Sequence, residues 1–349
     1  VDNLTHSLVG WTLARAGIGR GVPYATATLV LASNAPDADV VTALAGGVEY
    51  LAAHRGPTHG PLGVVGLGMA TAGILWAWAR WRGHPPAAAA REPTAGWFRR
   101  SWALATIGIA GHILMDLPTV YATRVLSPFS GTWFAVDWMP IVDVYLWIAL
   151  GAALVAGRVT GHRRRAAIVG LGLLAFDYAA RAGLHQRALA HGAAFDADGV
   201  HAPCRTAPTL VAHRGPIGGG AAMAGDCLTA AALPTLVSPF TWRIVRQSDD
   251  GYELSDRSVL DLSAPLRSTR ITSDTGPAVA RVRATRAGRV YFDFARFPIA
   301  RVTARTPAGT TVRLLDARFI GLPANDELAG MRAGLAFTVT VDRAAGAVE

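Results

Sequence analysis

His54-Arg55-Gly56-Pro57-Thr58-His59-Gly60 runs directly into an apolar stretch from Pro61 to Trp81, and this junction decides the fold. Proline suits a first helical turn, and a hydrocarbon core needs about 20 apolar residues to cross it. The stretch therefore reads as a spanning helix closed by Arg80-Trp81-Arg82, with two imidazoles at its mouth. Just upstream, Asn34-Ala35-Pro36-Asp37-Ala38-Asp39 adds two carboxylates. His6, in Thr5-His6-Ser7, and the pair His112 and Asp116 are further groups of the same kind. Imidazole nitrogens and carboxylate oxygens are ligands for a divalent metal such as zinc or manganese.

The composition agrees with a membrane setting. The 349 residues are 51% hydrophobic and only 16% charged, with a mean hydropathy of +0.30. That balance is unusual for a soluble enzyme and points to an apolar membrane part joined to a more polar one. The formal charge of +9 raises nucleic-acid binding. The arginines, however, interrupt hydrophobic runs without aromatic interleaving, so membrane topology accounts for them and no nucleic-acid partner is expected. Cys204 and Cys227 form no CxxC motif and read equally as one disulfide on the outer side or as two buried thiols. Residues 1–10 carry Asp2 and no basic n-region, so no cleavable leader is expected there.

Working outward, residues 5–17 and 22–33 are apolar and rich in small residues, and each is too short to span alone. They read as a helical hairpin, and residues 40–53 as a short surface helix or loop. Residues 83–100 form a linker, and spans follow at 102–117, 141–156 and 166–184, with Asp177 and Arg181 on one face of the last. The expectation is an α-helical integral membrane bundle of about four spans plus the hairpin. Arginines at 80, 82, 91, 99 and 100, and at 158 and 163–165, mark two cytoplasmic loops. Tracing the spans from those loops puts His6, Asp37, Asp39, His54, His59, His112 and Asp116 together on the outer side.

Beyond residue 184 the pattern changes. Residues 185–239 read as a helical and irregular connector, and residues 240–349 as a small antiparallel β domain in the periplasm. Period-two alternation at Val290-Phe292-Phe294 and Phe337-Val339-Val341 carries the strand reading. Residues 1–184 form the helical membrane domain in this scheme.

Chemistry is confined to that first part. His112 and Asp116, at i and i+4, share a helix face, although a histidine–carboxylate hydrogen bond inside a bundle has the same spacing. Asp37 and Asp39 can both face one ion, or Asp37 can cap the next segment while Asp39 ligates; a polar turn has the same composition. Gly56-Pro57 folds His54 and His59 toward each other, with Thr58 as a supporting partner. The metal set is thus His6, Asp39, His54, His59, His112 and Asp116. Asp37 and Arg55 are the catalytic candidates, Arg55 (or Arg124) for an anionic substrate group, though Arg55 can instead pair with an aspartate. Such a set can build one metal site or a two-metal centre that activates water against a phosphoryl or acyl group. The chain carries no GxSxG or HExxH motif. His84, His162 and the histidines beyond residue 180 read as surface groups.

Asp2-Asn3-Leu4-Thr5-His6-Ser7, Pro36-Asp37-Ala38-Asp39, His54 through His59 and His112 through Asp116 occur in an order that resembles the YdjM-type family of predicted inner-membrane metal-dependent hydrolases. A weaker likeness continues through Tyr121–Phe129 and Asp137–Asp143, and the whole covers roughly residues 1–180. Gly60 stands where a serine is often seen, and Gly111 precedes His112; neither change removes a ligand. The resemblance implies a multi-pass protein of the bacterial inner membrane that holds one or two divalent ions, zinc or manganese. A site at the outer membrane face would suit a phosphoester or other ester of an amphipathic or lipid-linked molecule as substrate. The alternative is a non-enzymatic scaffold or transporter with a structural metal.

Overall fold

Asp2 starts the first helix by accepting hydrogen bonds from the Leu4 and Thr5 amides, the N-cap role that a short carboxylate serves best. In the computed structural model, residues 1–82, 94–194, 204–215, 227–249, 251–261, 268–321 and 335–342 are described. Helices α1 (Asn3–Ala16) and α2 (Ala25–Ala32) form the expected hairpin. Pro36–Ala45 winds as a 3-10 segment, α3 is Gly47–Ala53, and Pro57–His59 is a single 3-10 turn. Then come α4 (Pro61–Trp81), α5 (Thr94–Asp116), α6 (Val144–Val159) and α7 (Arg163–Ala194). Of the expected 83–100 linker, residues 83–93 lie outside the described residues and the rest begins α5.

The chain divides into two compact units. The first comprises Val1–Ala45 and Ala53–Ala182; the second comprises Gly46–Ala52 and Gly183–Glu349. In the first, Val9, Met115 and Leu150 bring α1, α5 and α6 together, with Leu174 of α7 against them. Ala32, Ala105 and Ile109 join α2 to α5, with Val64 and Leu67 of α4 alongside. Two glycines set these spacings. A Cβ on Gly10 would lie 2.8 Å from the Leu29 carbonyl oxygen, and one on Gly108 would lie 2.8 Å from the Ala32 Cβ. Small residues at such crossings let helix backbones approach closely.

By length and composition, two helices can cross a membrane among the described residues, Pro61–Trp81 and Arg163–Ala193. Helix α6 is apolar but has 16 residues, and α5 carries Arg99 and Arg100 in its first half. The expected spans at 102–117 and 141–156 thus correspond to helices that do not meet the same measure.

The second unit is β-rich. A five-stranded sheet has the order Arg205–Thr206, Thr229–Pro234, Thr241–Ser248, Gly251–Ser258, Ser268–Thr272. Its pairings are antiparallel except that of Arg205–Thr206 with Thr229–Pro234. A three-stranded antiparallel sheet runs Ala336–Asp342, Gly309–Asp316, Pro298–Arg305. Trp242, Ile244 and Ala232 pack on Ala188 and Leu189 of the helical segment that opens this unit.

Two expectations change here. Residues 185–239 are not simply a connector: α7 continues to Ala194, and strands occur at 205–206, 211–213 and 229–234. Ala230–Leu233 is a short, fully buried run, so it lacks the alternation that marks a half-exposed strand. The Val290–Phe294 alternation belongs instead to a helix, Arg286–Phe294, preceded by the helix Pro277–Ala284. Thr285 caps it through the Gly288 amide, and Ala287, Tyr291 and Phe294 recur at helical spacing on its buried side. The Phe337–Val341 strand forms as expected. Cys204 and Cys227 are joined in a disulfide, their Cα atoms 5.0 Å apart.

Gly108→Val should lower the thermal stability of the detergent-solubilised protein by about 1–3 kcal/mol, the usual cost of overpacking. Unfolding of purified wild-type and variant protein, followed by circular dichroism, measures it; equal midpoints would show that α2 and α5 are not held this closely.

Candidate metal centre

Three elements of the first unit deliver four donors to one buried point. The end of α5 gives His112 and Asp116, the 3-10 turn before α4 gives His59, and the Pro36–Ala45 segment gives Asp37. One ligand atom from each of these four lies within 4.8 Å of all the others. The His59 and His112 Nε2 atoms are 3.1 Å apart. They lie 3.6 and 3.5 Å from Asp116 Oδ2 and 3.7 and 3.6 Å from Asp37 Oδ1. Ligands 2.0–2.2 Å from a common ion are separated by about 2.8–3.6 Å, the edges of an octahedron or tetrahedron. The cluster has the size of one coordination sphere.

The hydrogen bonds turn the right nitrogens inward. His112 Nδ1 lies 2.8 Å from the Ser33 carbonyl oxygen, which can only accept, so Nδ1 holds the proton and Nε2 keeps its lone pair. His59 Nδ1 lies 3.0 Å from Thr58 Oγ1, which itself donates to Asp39 Oδ2. Burial holds the His59 imidazole below its ordinary pKa, opposed by its hydrogen bond to Asp116, and so favours the neutral ligating form.

Asp39 is engaged on both oxygens. Oδ1 is 2.8 Å from His54 Nδ1, and Oδ2 accepts from the Arg55 amide at 2.9 Å and the Thr58 hydroxyl at 3.0 Å. Burial opposes its ionisation, but the His54 hydrogen bond and the nearby charges prevail and hold its pKa below the ordinary value. Asp39 and His54 thus form a supporting layer beside the four-residue set. His6 stacks on His112 with ring centroids 3.8 Å apart, and its Nε2 is 3.3 Å from Asp116 Oδ1. Its ring is fully buried. Val1 lies against Asp116 through its main-chain nitrogen.

Arg55 stands at a positive φ of 51°, a costly conformation outside glycine that persists where surroundings fix it. Its Nη2 is 3.0 Å from Asp116 Oδ2, its Nη1 donates to Thr119 Oγ1 at 2.9 Å, and the guanidinium covers the Tyr121 ring. Arg124 donates to the His54 carbonyl and lies over Trp133. Both groups are engaged with the protein.

All the site residues named from the sequence therefore meet in one neighbourhood, in unequal roles. Several participants carried no sequence signal of their own. Trp147 donates to Asp2 and Thr5, tying the cap of α1 to α6 and fixing where His6 points. Ser33 and Thr119 act through a carbonyl and a hydroxyl. Of the histidines read as surface groups, His185 is buried against Trp242, and burial with Arg318 and Arg296 nearby pushes His213 down to about 3. His84 and His201 lie outside the described residues.

Two helices long and apolar enough to cross a membrane, together with a buried histidine–carboxylate cluster that could hold a metal ion, define a helical membrane protein with a candidate metal site. The chain belongs to the YdjM inner membrane protein family, whose model matches residues 1–188. It is also similar to the uncharacterized protein YfhP of Bacillus subtilis (strain 168), with 26% identity over 162 residues. That match covers 44% of this chain and 45% of the relative, so the alignment spans about half of each. No solved structure matches.

His112→Ala should abolish stoichiometric metal in protein purified under metal-replete conditions, read by inductively coupled plasma mass spectrometry. Asp39→Asn should keep the ion but bind it roughly 10–100-fold more weakly, the usual effect of a changed supporting partner. Full metal retention in a folded His112→Ala protein would remove that residue from the ligand set.

Proposed function

We propose that the chain is a metal-dependent hydrolase of the inner membrane acting on an ester, such as a phosphoester, of an amphipathic or lipid-linked substrate. The observation that carries this reading is unequal exposure within the cluster. His59, His112 and Asp116 are sealed, whereas the Asp37 side chain keeps 12% of its surface. Two imidazoles and one carboxylate with a fourth position left to water or substrate is the pattern of catalytic zinc sites. A bound divalent ion, zinc or manganese, would polarise the ester oxygen and acidify a water.

The protein groups supply the rest. Asp37, on the open side, accepts a proton from the attacking water. Water adds to the phosphorus or carbonyl carbon, the ester bond breaks, and the leaving alkoxide takes up that proton. Arg55 acts by positioning: its guanidinium holds the Asp116 carboxylate in place. With Asp39, His54 and His6 serving as support, one ion suffices.

The protein loaded with zinc or manganese should hydrolyse a synthetic amphiphilic phosphodiester or carboxylic ester, and Asp37→Asn and His112→Ala should reduce the rate by about 100-fold or more. Equal rates for loaded wild type and both variants across such a panel, with metal bound in the wild type, would leave a structural ion in a non-enzymatic scaffold.

The topology belongs to the same reading. Arg80 and Arg82 end α4, and Arg158 with Arg163–Arg165 surrounds the α6–α7 turn, which supports a multi-pass bundle with these ends cytoplasmic. The Cys204–Cys227 disulfide supports an oxidising, periplasmic setting for the second unit. The disulfide leaves no free thiol, so single cysteines can be added directly. In intact cells, a membrane-impermeant maleimide should label Asp249→Cys and spare His162→Cys; the opposite pattern would invert the arrangement.

A further inference from the structure

Helices α1, α6 and α7 leave an open groove of about 610 Å³ at the end of α1 remote from the metal centre. Trp11, Leu154 and Val155 line its apolar part, and Arg15, Arg158 and Arg163 stand along it, with no carboxylate among the lining residues. His6 and Arg15 are nine positions apart on α1, about 13 Å at the helical rise, so the groove is separate from the metal site. Trp11 is 44% exposed, Val155 64% and neighbouring Val159 80%, which water would penalise and acyl chains would not. Among the described residues no ion pair engages any of the three arginines, whereas Arg164 next door donates to the Ala16 carbonyl.

We infer that this groove binds one anionic phospholipid, its phosphate held by Arg15, Arg158 and Arg163 and its acyl chains laid on Trp11, Leu154 and Val155. Charge complementarity decides the occupant. Three arginines without a counter-charge, on an apolar wall between helices, match a molecule that joins a phosphate to hydrocarbon. A zwitterionic lipid fills the apolar part equally well but brings its own cation to the arginines. Free phosphate satisfies the arginines and leaves the wall uncovered.

The test uses the full chain in neutral detergent, with thermal unfolding followed while dioleoyl phosphatidylglycerol, dioleoyl phosphatidylcholine or inorganic phosphate is added. Phosphatidylglycerol should stabilise the wild type at lower concentration than phosphatidylcholine, and phosphate alone should do little. Arg158→Gln with Arg163→Gln should weaken the phosphatidylglycerol response by roughly tenfold to thirtyfold. Both side chains are exposed, so this variant keeps the bundle, which metal content checks independently. Arg165→Gln, one charge lost off the groove, should retain the preference. Equal responses to the two lipids, an undiminished preference in the double variant, or a phosphate response matching that of the anionic lipid would each overturn the assignment.

Discussion

Two imidazole nitrogens and two carboxylates gathered at one buried point are the constraint on which the first unit's site depends. His112 spends its Nδ1 proton on the Ser33 carbonyl, and the Nε2 atoms of His59 and His112 then meet 3.1 Å apart beside the carboxylates of Asp116 and Asp37. Neutral nitrogens and anionic oxygens repel at this range, and burial removes the water that would screen them. A cation resolves that conflict with the side chains where they stand. Arg55 shares the work: its Nη2 lies 3.0 Å from Asp116 Oδ2, the oxygen that also faces both imidazoles.

Holding like-signed groups together requires a frame that cannot relax, and the frame is local chemistry. The Asp2 cap, bonded to Trp147, sets the start of α1 and with it the His6 ring over His112. Close approach at Gly10 seats α2 on α1, and that at Gly108 brings α2 near enough to α5 for the Ser33 carbonyl to reach His112. Arg55 completes the frame from a strained backbone. Its amide serves Asp39 and its guanidinium serves Asp116, so one residue ties the Pro36–Ala45 segment to the end of α5.

Much of this was legible in the sequence, for reasons that differ by residue. Ligand types at helix mouths stand out because charge is costly beside apolar runs, and the fold brings them together. Their ranking was not legible. Asp37 and Asp39 are two positions apart, and only the fold shows that His54, the Arg55 amide and Thr58 occupy both oxygens of Asp39 while Asp37 faces the imidazoles. Ser33 acts through its main-chain carbonyl, which residue identity does not encode. In the second unit, Val290, Phe292 and Phe294 misled because apolar residues at every second position over only five residues fit a strand as well as a turn of helix.

The first unit inverts the usual distribution of polarity. Ile74 is 65% exposed, Ile148 68% and Phe176 70%, while His6, His59, His112 and Asp116 keep 1% or less. The most apolar windows of α4 and α7 are buried over only 28% and 17% of their residues, unlike the core helix of a soluble protein. Apolar surface of this kind is satisfied by hydrocarbon, and hydrocarbon in turn forbids unpaired charge at that depth. Asp143 shows the rule away from the metal centre: it caps α6 through the Tyr145 and Leu146 amides and pairs with Arg181, which also holds Asp177. Every buried charge there has an opposite partner within the protein. The four-residue cluster, two carboxylates and two imidazoles with the Arg55 guanidinium on Asp116, departs from that rule, and the departure marks it as a candidate metal site.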